Sequence, residues 1–160
     1  MVTGFPNLSQ SQHHVTSPFD DVYNCVAWAL ERDQIHWWQP GGSPYFWPIP
    51  SAPATLSMST YLAAFSAVGY KLCRSRSFVP GWQKIAIYTY RGSDFLHVAA
   101  LLPDRTWTSK LGQDVDINHH TLESLEGGDY GYVTHIMRRR DPALHGWRAV
   151  LAEVSGLITR

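Results

Sequence analysis

The chain has 160 residues, enough for one domain with a buried core and too few for two domains of ordinary size. Its 13 basic and 13 acidic residues cancel, so we expect no general attraction to nucleic acid or to an anionic membrane. No apolar run has the length of a signal peptide or a membrane span. We therefore expect a cytoplasmic protein, and delivery to another cell by a signal-independent route stays open.

The cysteines and histidines do not suggest a metal centre. Two cysteines, Cys25 and Cys73, are too few for a disulfide framework and lack the spacing of a zinc site. Adjacent histidines such as His119 and His120 point to opposite sides of an extended segment, whereas a metal needs ligands that converge. We expect no metal and no cofactor.

The N-terminal part of the chain predicts an arm followed by a helix. Residues 1–17 are rich in Ser, Gln and His and predict an irregular arm, and residues 18–160 predict a single domain. Apolar residues recur at helical spacing from about 21 to 32, where Asp20 or Asp21 could cap the first free N–H groups. The first helix is therefore expected there.

A long loop and a second helix come next. Residues 36–53 contain five prolines, two adjacent glycines and many aromatic rings, which excludes a helix or a central strand. The run that follows has helical spacing, with Ser57 or Ser59 as the cap and Gly69 at the position just after the helix.

The second half predicts an antiparallel meander. Four short runs rich in β-branched and aromatic residues are separated by turn sequences: 84–90, 95–102, 106–111 and 130–139. A brief helical segment is expected at 120–126 and a final amphipathic helix from Pro142. Helices followed by strands predict an α+β domain, with the N-terminal helices packed on the meander sheet and a C-terminal helix.

Cys25 is the first candidate for chemistry. A cysteine in the first turns of a helix lies near free N–H groups, which favour the thiolate form. The neighbouring Asn24 could donate hydrogen bonds to a substrate. A buried cysteine on an apolar helix face is the alternative interpretation.

His97 is the candidate base. It comes early in a predicted strand, where it could face Cys25, accept the thiol proton and pass it to a leaving group. A core histidine that is hydrogen-bonded to a neighbour is the alternative.

A third polar group usually orients such a base. A three-residue turn after Leu102 would place Ser109 on the face of His97, whereas a two-residue turn would place Thr108 and Lys110 there. Ser109 is the first candidate and Asp116, just beyond the strand, is the second.

The ordered runs YNCVAWAL, GYKLC, KIAIY, LHVAAL, WTSKLG and YGYVTHIMRR resemble a family of bacterial and phage-associated proteins with a YNC(I/V)AWA signature, over roughly residues 20–139. More distantly, the order of cysteine and histidine is similar to papain-like thiol amidohydrolases of the NlpC/P60 and CHAP type. This resemblance implies a papain-like fold with a thiol nucleophile, a histidine base and a third polar residue, at Cys25, His97 and Ser109. Papain-like proteases often carry an oxyanion-binding glutamine just before the cysteine, where this chain has Phe19 and Asp20.

Two classes of function follow. The first is a cysteine hydrolase, acting as an amidase, peptidase, deamidase or acyl transferase on a peptide, protein or other amide-containing substrate; a bacterial toxin or effector is one setting for it. The second is a non-catalytic binding module that grips a protein partner or inhibitor. In either class, Trp37, Trp38 and Trp47 of the aromatic loop are candidates to contact the ligand, unless the loop only covers the core.

Overall fold

The computed structural model describes residues 4–30, 36–37, 45–49 and 55–142. Seven of its strands form one sheet, and two more form a separate parallel pair. The strands of the sheet are β1 (His13–Val15), β4 (Lys71–Cys73), β5 (Trp82–Tyr90), β6 (Asp94–Leu101), β7 (Trp107–Lys110), β8 (Asp116–His119) and β9 (Tyr132–Arg140), and the pair is β2 (His36–Trp37) and β3 (Tyr45–Phe46).

The sheet is antiparallel throughout, with the strand order β1-β8-β7-β6-β5-β9-β4. Three of the four predicted meander strands, β5, β6 and β7, are consecutive neighbours in the sheet, whereas the fourth predicted run, now β9, lies beside β5 and the position next to β7 is taken by β8. The strands β1, β4 and β8 were not predicted, because each has only three or four residues and no long apolar alternation. The N-terminal segment, predicted as an irregular arm, thus supplies an edge strand.

The predicted papain-like α+β fold was wrong. In the described ranges the helical content is small: two short α-helices, α1 (Cys25–Ala29) and α2 (Met58–Ala67), beside a sheet of seven strands. The fold is therefore β-rich. Neither α1 nor α2, nor any other helix in the described ranges, is long and apolar enough to cross a membrane.

Helix α1 begins later than predicted because Asn24, rather than an aspartate, is its cap. The Asn24 side-chain oxygen accepts a hydrogen bond from the Ala27 N–H at 3.1 Å. Asp20 instead accepts from the Val22 N–H at 2.8 Å, one turn before the helix. Cys25 is consequently the first residue of α1, and the predicted helix end at 32 lies outside the described residues.

Helix α2 ends as its sequence predicts. Its cap residue is Ser57, and Gly69 follows the helix with a φ of +95°, a left-handed conformation that glycine adopts without strain. The Tyr70 N–H then donates to the Phe65 carbonyl at 3.0 Å. The segment predicted at 120–126 contains a short 3-10 helix, Leu122–Leu125, and the helix predicted after Pro142 falls outside the described residues.

The two faces of the sheet bury different sets of side chains. Because side chains alternate along a strand, Val98 lies on one face and Ala99 on the other. The first face packs against α1 and α2, with Val26, Phe65, Ile85, Ile87 and Val98 among its buried residues. The second face is covered by the N-terminal segment and the 3-10 helix, with Leu8, Tyr88, Ala99, Leu122 and Leu125 among its buried residues.

Candidate active site

The turn between β6 and β7 decides which residue lies beside His97. The Leu102 N–H donates to the Thr106 carbonyl at 2.8 Å, so three residues lie between these two positions. Pairing of Leu101 with Trp107 then places Ser109 on the same face as His97. The Ser109 and His97 side chains meet there.

Three fully buried polar side chains form a hydrogen-bonded row across β6, β7 and β8. The His97 Nε2 and Ser109 Oγ atoms are 3.0 Å apart, and the same Oγ is 2.9 Å from the His119 Nε2. The His119 Nδ1 lies 2.8 Å from the Thr121 carbonyl oxygen, where the row ends. His97, Ser109 and His119 all have 0% exposed surface, so no bulk water competes for these bonds.

The Thr121 carbonyl at the end of the row determines which atom is the donor in each hydrogen bond of the row. A carbonyl oxygen only accepts, so the His119 Nδ1 donates to Thr121 and, in the neutral ring, its Nε2 accepts. The Ser109 hydroxyl therefore donates to His119, and its oxygen accepts from the His97 Nε2–H. The His97 Nδ1 is left with its lone pair, and no hydrogen-bond partner among the described residues.

Burial keeps both imidazole rings neutral. It lowers the pKa of His97 well below its ordinary value, and the charge of a protonated His119 would lower it further. Burial also lowers the pKa of His119 to about 4, with a smaller opposite effect from the Thr121 hydrogen bond. At neutral pH the row is uncharged, and the His97 Nδ1 is available to accept a proton.

Tyr130 covers His97. The two rings are stacked with their centroids 4.0 Å apart and their planes 2° from parallel. A tight turn positions Tyr130: Gly127 pairs with Gly131, whose φ is +66° and whose missing Cβ would lie 2.2 Å from the Thr89 carbonyl oxygen. Only glycine fits at position 131 without a backbone shift.

The Cys25 thiol, at the start of α1, meets the backbone of β6 beside this group; Cys25 packs with residues of the first face, whereas His97 pairs with Tyr88 of the second face. The Cys25 sulfur interacts with the backbone N–H of Val98, the residue directly after His97, and with those of Val26 and Cys25 itself. Burial raises the pKa of Tyr130, whose ring is stacked on His97, and a negative charge on Cys25 raises it further. Strands β6 and β7 pair only at Ala100 and Leu101, so Val98 lies beyond their paired positions.

The Cys25 thiol is neutral at rest, in contrast to the thiolate expected at a helix start. Burial raises its pKa to about 11, although the three backbone N–H groups act in the opposite direction. The described part of α1 has only five residues. Here the loss of hydration outweighs the hydrogen bonds from the backbone.

Asp116 lies on the opposite face from His97. It pairs with Lys110 across β7 and β8, one position along from Ser109, and neighbouring residues of a strand face opposite ways. Its carboxylate accepts a hydrogen bond from the Tyr23 hydroxyl at 2.5 Å and lies 3.8 Å from the Lys110 ammonium nitrogen. The structure therefore brings Ser109 to His97 but does not bring Asp116 there.

The remaining predicted ligand contacts have other surroundings. The Asn24 oxygen caps α1, as described above. Trp47 is 5% exposed and packs edge-on against Tyr61 in the core, with ring centroids 5.3 Å apart. Trp38 and the side chain of Trp37 lie outside the described residues.

His119 was missed as a site residue by the sequence analysis. The alternation of side chains along β8 could have identified it. Ser109 pairs with Ile117 and Trp107 pairs with His119. His119 therefore lies on the same face as Ser109. Recognising Asp116–His119 as a strand would have been enough. Across the described ranges, no group of three His, Cys, Asp or Glu side chains could hold a metal ion.

A cavity of about 370 Å³ lies further along the first face of the sheet. Its lining includes Trp28, Trp82, Ala100 and Thr108, and the Trp28 indole N–H donates to the Thr108 hydroxyl at 3.0 Å. Neither Cys25 nor His97 lines it. The cavity is thus separate from the buried polar row.

Comparison with known proteins identifies the family but no characterised relative. The family model described as a domain of unknown function, DUF7689, matches residues 14–138 of the chain. No curated protein and no solved structure matches it.

Proposed function

The chain belongs to the DUF7689 family, and we propose that it is a thiol hydrolase that cleaves an amide or ester bond. In this proposal Cys25 is the nucleophile, His97 is the base and Ser109 orients the base. The observation that carries the proposal is the unpartnered Nδ1 of the neutral, buried His97 imidazole, directly before Val98, whose backbone N–H meets the helix-borne Cys25 thiol. A histidine with a purely structural role would normally have both ring nitrogens paired.

The first half of the reaction starts from a neutral pair. The His97 Nδ1 accepts the thiol proton while the Cys25 sulfur bonds to the substrate carbonyl carbon. Since the resting thiol has a pKa of about 11, the proton transfer accompanies the attack and does not precede it. The backbone N–H groups beside the sulfur stabilise the oxyanion that forms.

The second half releases the product. The imidazolium gives its Nδ1 proton to the departing amine or alkoxide as the bond to the carbonyl carbon breaks, which leaves an acyl group on Cys25. Water then attacks this thioester, gives one proton to His97 and displaces the sulfur, which regains a proton from the imidazolium. Attack by an amine in place of water would give acyl transfer through the same intermediate.

A simple ester tests the proposal. The protein with Cys73→Ser is incubated with p-nitrophenyl acetate, and the release of nitrophenol and the mass of the intact protein are followed. We expect an acetyl group on Cys25 and turnover that Cys25→Ala or His97→Gln abolishes. Circular dichroism of each variant checks that the fold is retained.

Two results would contradict the proposed thiol hydrolase. An enzyme that keeps full turnover after Cys25→Ala would exclude a thiol nucleophile. A folded protein that acquires no acetyl group on Cys25 at any pH up to 10 would show an inert core cysteine.

A further inference from the structure

The structure assigns a positioning role to His119: we propose that it holds the ring proton of His97 on Nε2, acting through the Ser109 hydroxyl. This inference rests on the proposed roles of Cys25 and His97. It adds a residue that never touches the substrate, and it explains why the lone pair of His97 is on Nδ1.

Ser109 alone cannot select the tautomer of His97. A serine hydroxyl can donate or accept, so by itself it would satisfy either the protonated or the bare form of the His97 Nε2. The 2.9 Å contact with the His119 Nε2 removes this freedom, because that nitrogen needs a donor. The hydroxyl proton points to His119, and the serine oxygen is left to accept from His97.

His119 is itself fixed by the backbone. If its proton moved to Nε2, a lone pair on Nδ1 would face the Thr121 carbonyl oxygen at 2.8 Å in a fully buried position. Two buried acceptors facing each other cost the full desolvation penalty of both groups. The Thr121 carbonyl therefore sets the tautomer of His119, and His119 in turn sets that of His97.

The surroundings of the two rings are consistent with neutral groups. His13 of β1 pairs with His119 and adds no negative charge that would favour protonation. Tyr88 and Tyr130 flank His97, and burial raises the pKa of both phenols, so they carry no charge at neutral pH. Cys25, with a pKa of about 11, is neutral as well.

The tautomers can be observed directly by NMR. Two-bond proton–nitrogen spectra of the histidine rings distinguish a protonated ring nitrogen from a bare one. In the parent protein at pH 7 we expect the His97 proton on Nε2. In His119→Phe, which keeps an aromatic ring but offers no acceptor, the serine hydroxyl turns to His97 and the proton moves to Nδ1 in a large fraction of molecules.

Two further variants separate positioning from packing. His119→Gln provides a side-chain carbonyl oxygen that can accept from Ser109, so we expect it to keep the parent tautomer. His120→Phe changes the exposed neighbour and leaves the row intact, so it should behave as the parent. If His119→Phe does not fold, His119→Leu makes the same test with a smaller side chain.

The reactivity of Cys25 provides a second readout. Acetylation of Cys25 by p-nitrophenyl acetate should fall about tenfold or more in His119→Phe, because a protonated Nδ1 cannot accept the thiol proton. The rate should recover in His119→Gln. It should not change in His120→Phe.

The two proposals fail in different ways. A His97 proton on Nδ1 in the parent protein, or one that stays on Nε2 in folded His119→Phe, would overturn the role of His119. A tautomer that shifts as expected in a protein that never acetylates Cys25 would keep that role and exclude the hydrolase.

Discussion

The Tyr130 ring lies flat on the imidazole of His97, with centroids 4.0 Å apart. This contact keeps water from one face of a histidine whose pKa is lowered mainly by burial. The tyrosine thus helps to keep the proposed base neutral at the pH where it would work.

Replacement of Tyr130 by Ala should raise the pKa of His97 towards its ordinary value of 6.5, because water would reach the ring. Tyr130→Phe keeps the stacked ring and should leave the pKa low. Tyr132→Ala, at a residue with 62% exposed surface two positions away, is the matched control. An NMR titration of His97 measures all three, and equal pKa values in the parent and Tyr130→Ala would exclude a shielding role.

The buried histidines should make the protein less stable in acid. Since the folded pKa of His119 is about 4 and the ordinary value is 6.5, the unfolded chain takes up protons first as the pH falls. The neutral His119 imidazole therefore stabilises the folded protein by about 3 kcal/mol. This contribution is complete above about pH 6.5 and is lost as the pH falls through about 4. His97 contributes with the same sign.

Urea unfolding at pH 7 and pH 4.5 measures this effect. His119→Gln should lose less stability between the two pH values than the parent protein, because it has no imidazole to protonate. His120→Gln should lose as much as the parent. Equal losses in the parent and His119→Gln would mean that His119 is already charged in the folded state.

Alkylation of Cys25 by iodoacetamide should be slow at neutral pH and should accelerate up to about pH 11. With a pKa of about 11 in place of 9.0, the thiolate fraction at pH 8 is roughly 100-fold lower than for an unperturbed thiol. The measurement uses the Cys73→Ser protein, so that only Cys25 reacts. An apparent pKa below about 8.5 would instead indicate a preformed pair of thiolate and imidazolium.

Gly131→Ala should destabilise the protein by about 2 kcal/mol or more, because the added Cβ meets the Thr89 carbonyl oxygen at 2.2 Å and the φ is +66°. Gly92→Ala is the matched control: its φ is +80°, but nothing lies within 4 Å of the added atom. Both changes incur the cost of a positive φ, and only the first creates a clash. Unfolding free energies that differ by less than about 0.5 kcal/mol would exclude the clash as the cause.

The sequence predicted the parts of the fold that have strong local signals. Strands β5, β6 and β9 have eight or nine residues each and are rich in β-branched and aromatic side chains, and Gly69 marks the end of α2. The sequence left two lengths open for the turn after Leu102, and the three-residue turn that the structure shows is the one that brings Ser109 to His97. These features depend on residues close together in the chain.

The rest depends on partners far apart in the chain. All three residues of β1 are exposed, so its pairing with β8 rests on backbone hydrogen bonds that no side-chain pattern reveals. The start of α1 depends on which of Asp20, Asp21 and Asn24 caps the helix, and helix propensity does not distinguish among these three residues. The raised pKa of Cys25 comes from burial in the folded protein, where its thiol meets β6, a strand some 70 positions later in the chain.

Strand β1 limits how far the chain can be truncated from its N-terminal side. Its pairing places His13 beside His119, and Gln12 and Thr16 extend the contact through hydrogen bonds with His120 and Asp116. Deletion of residues 1–17 would remove β1 together with the segment that the sequence predicts to be irregular. Because β1 covers the edge of β8, its removal would expose that edge and admit solvent to the His119 end of the histidine row, far along the chain from the deletion.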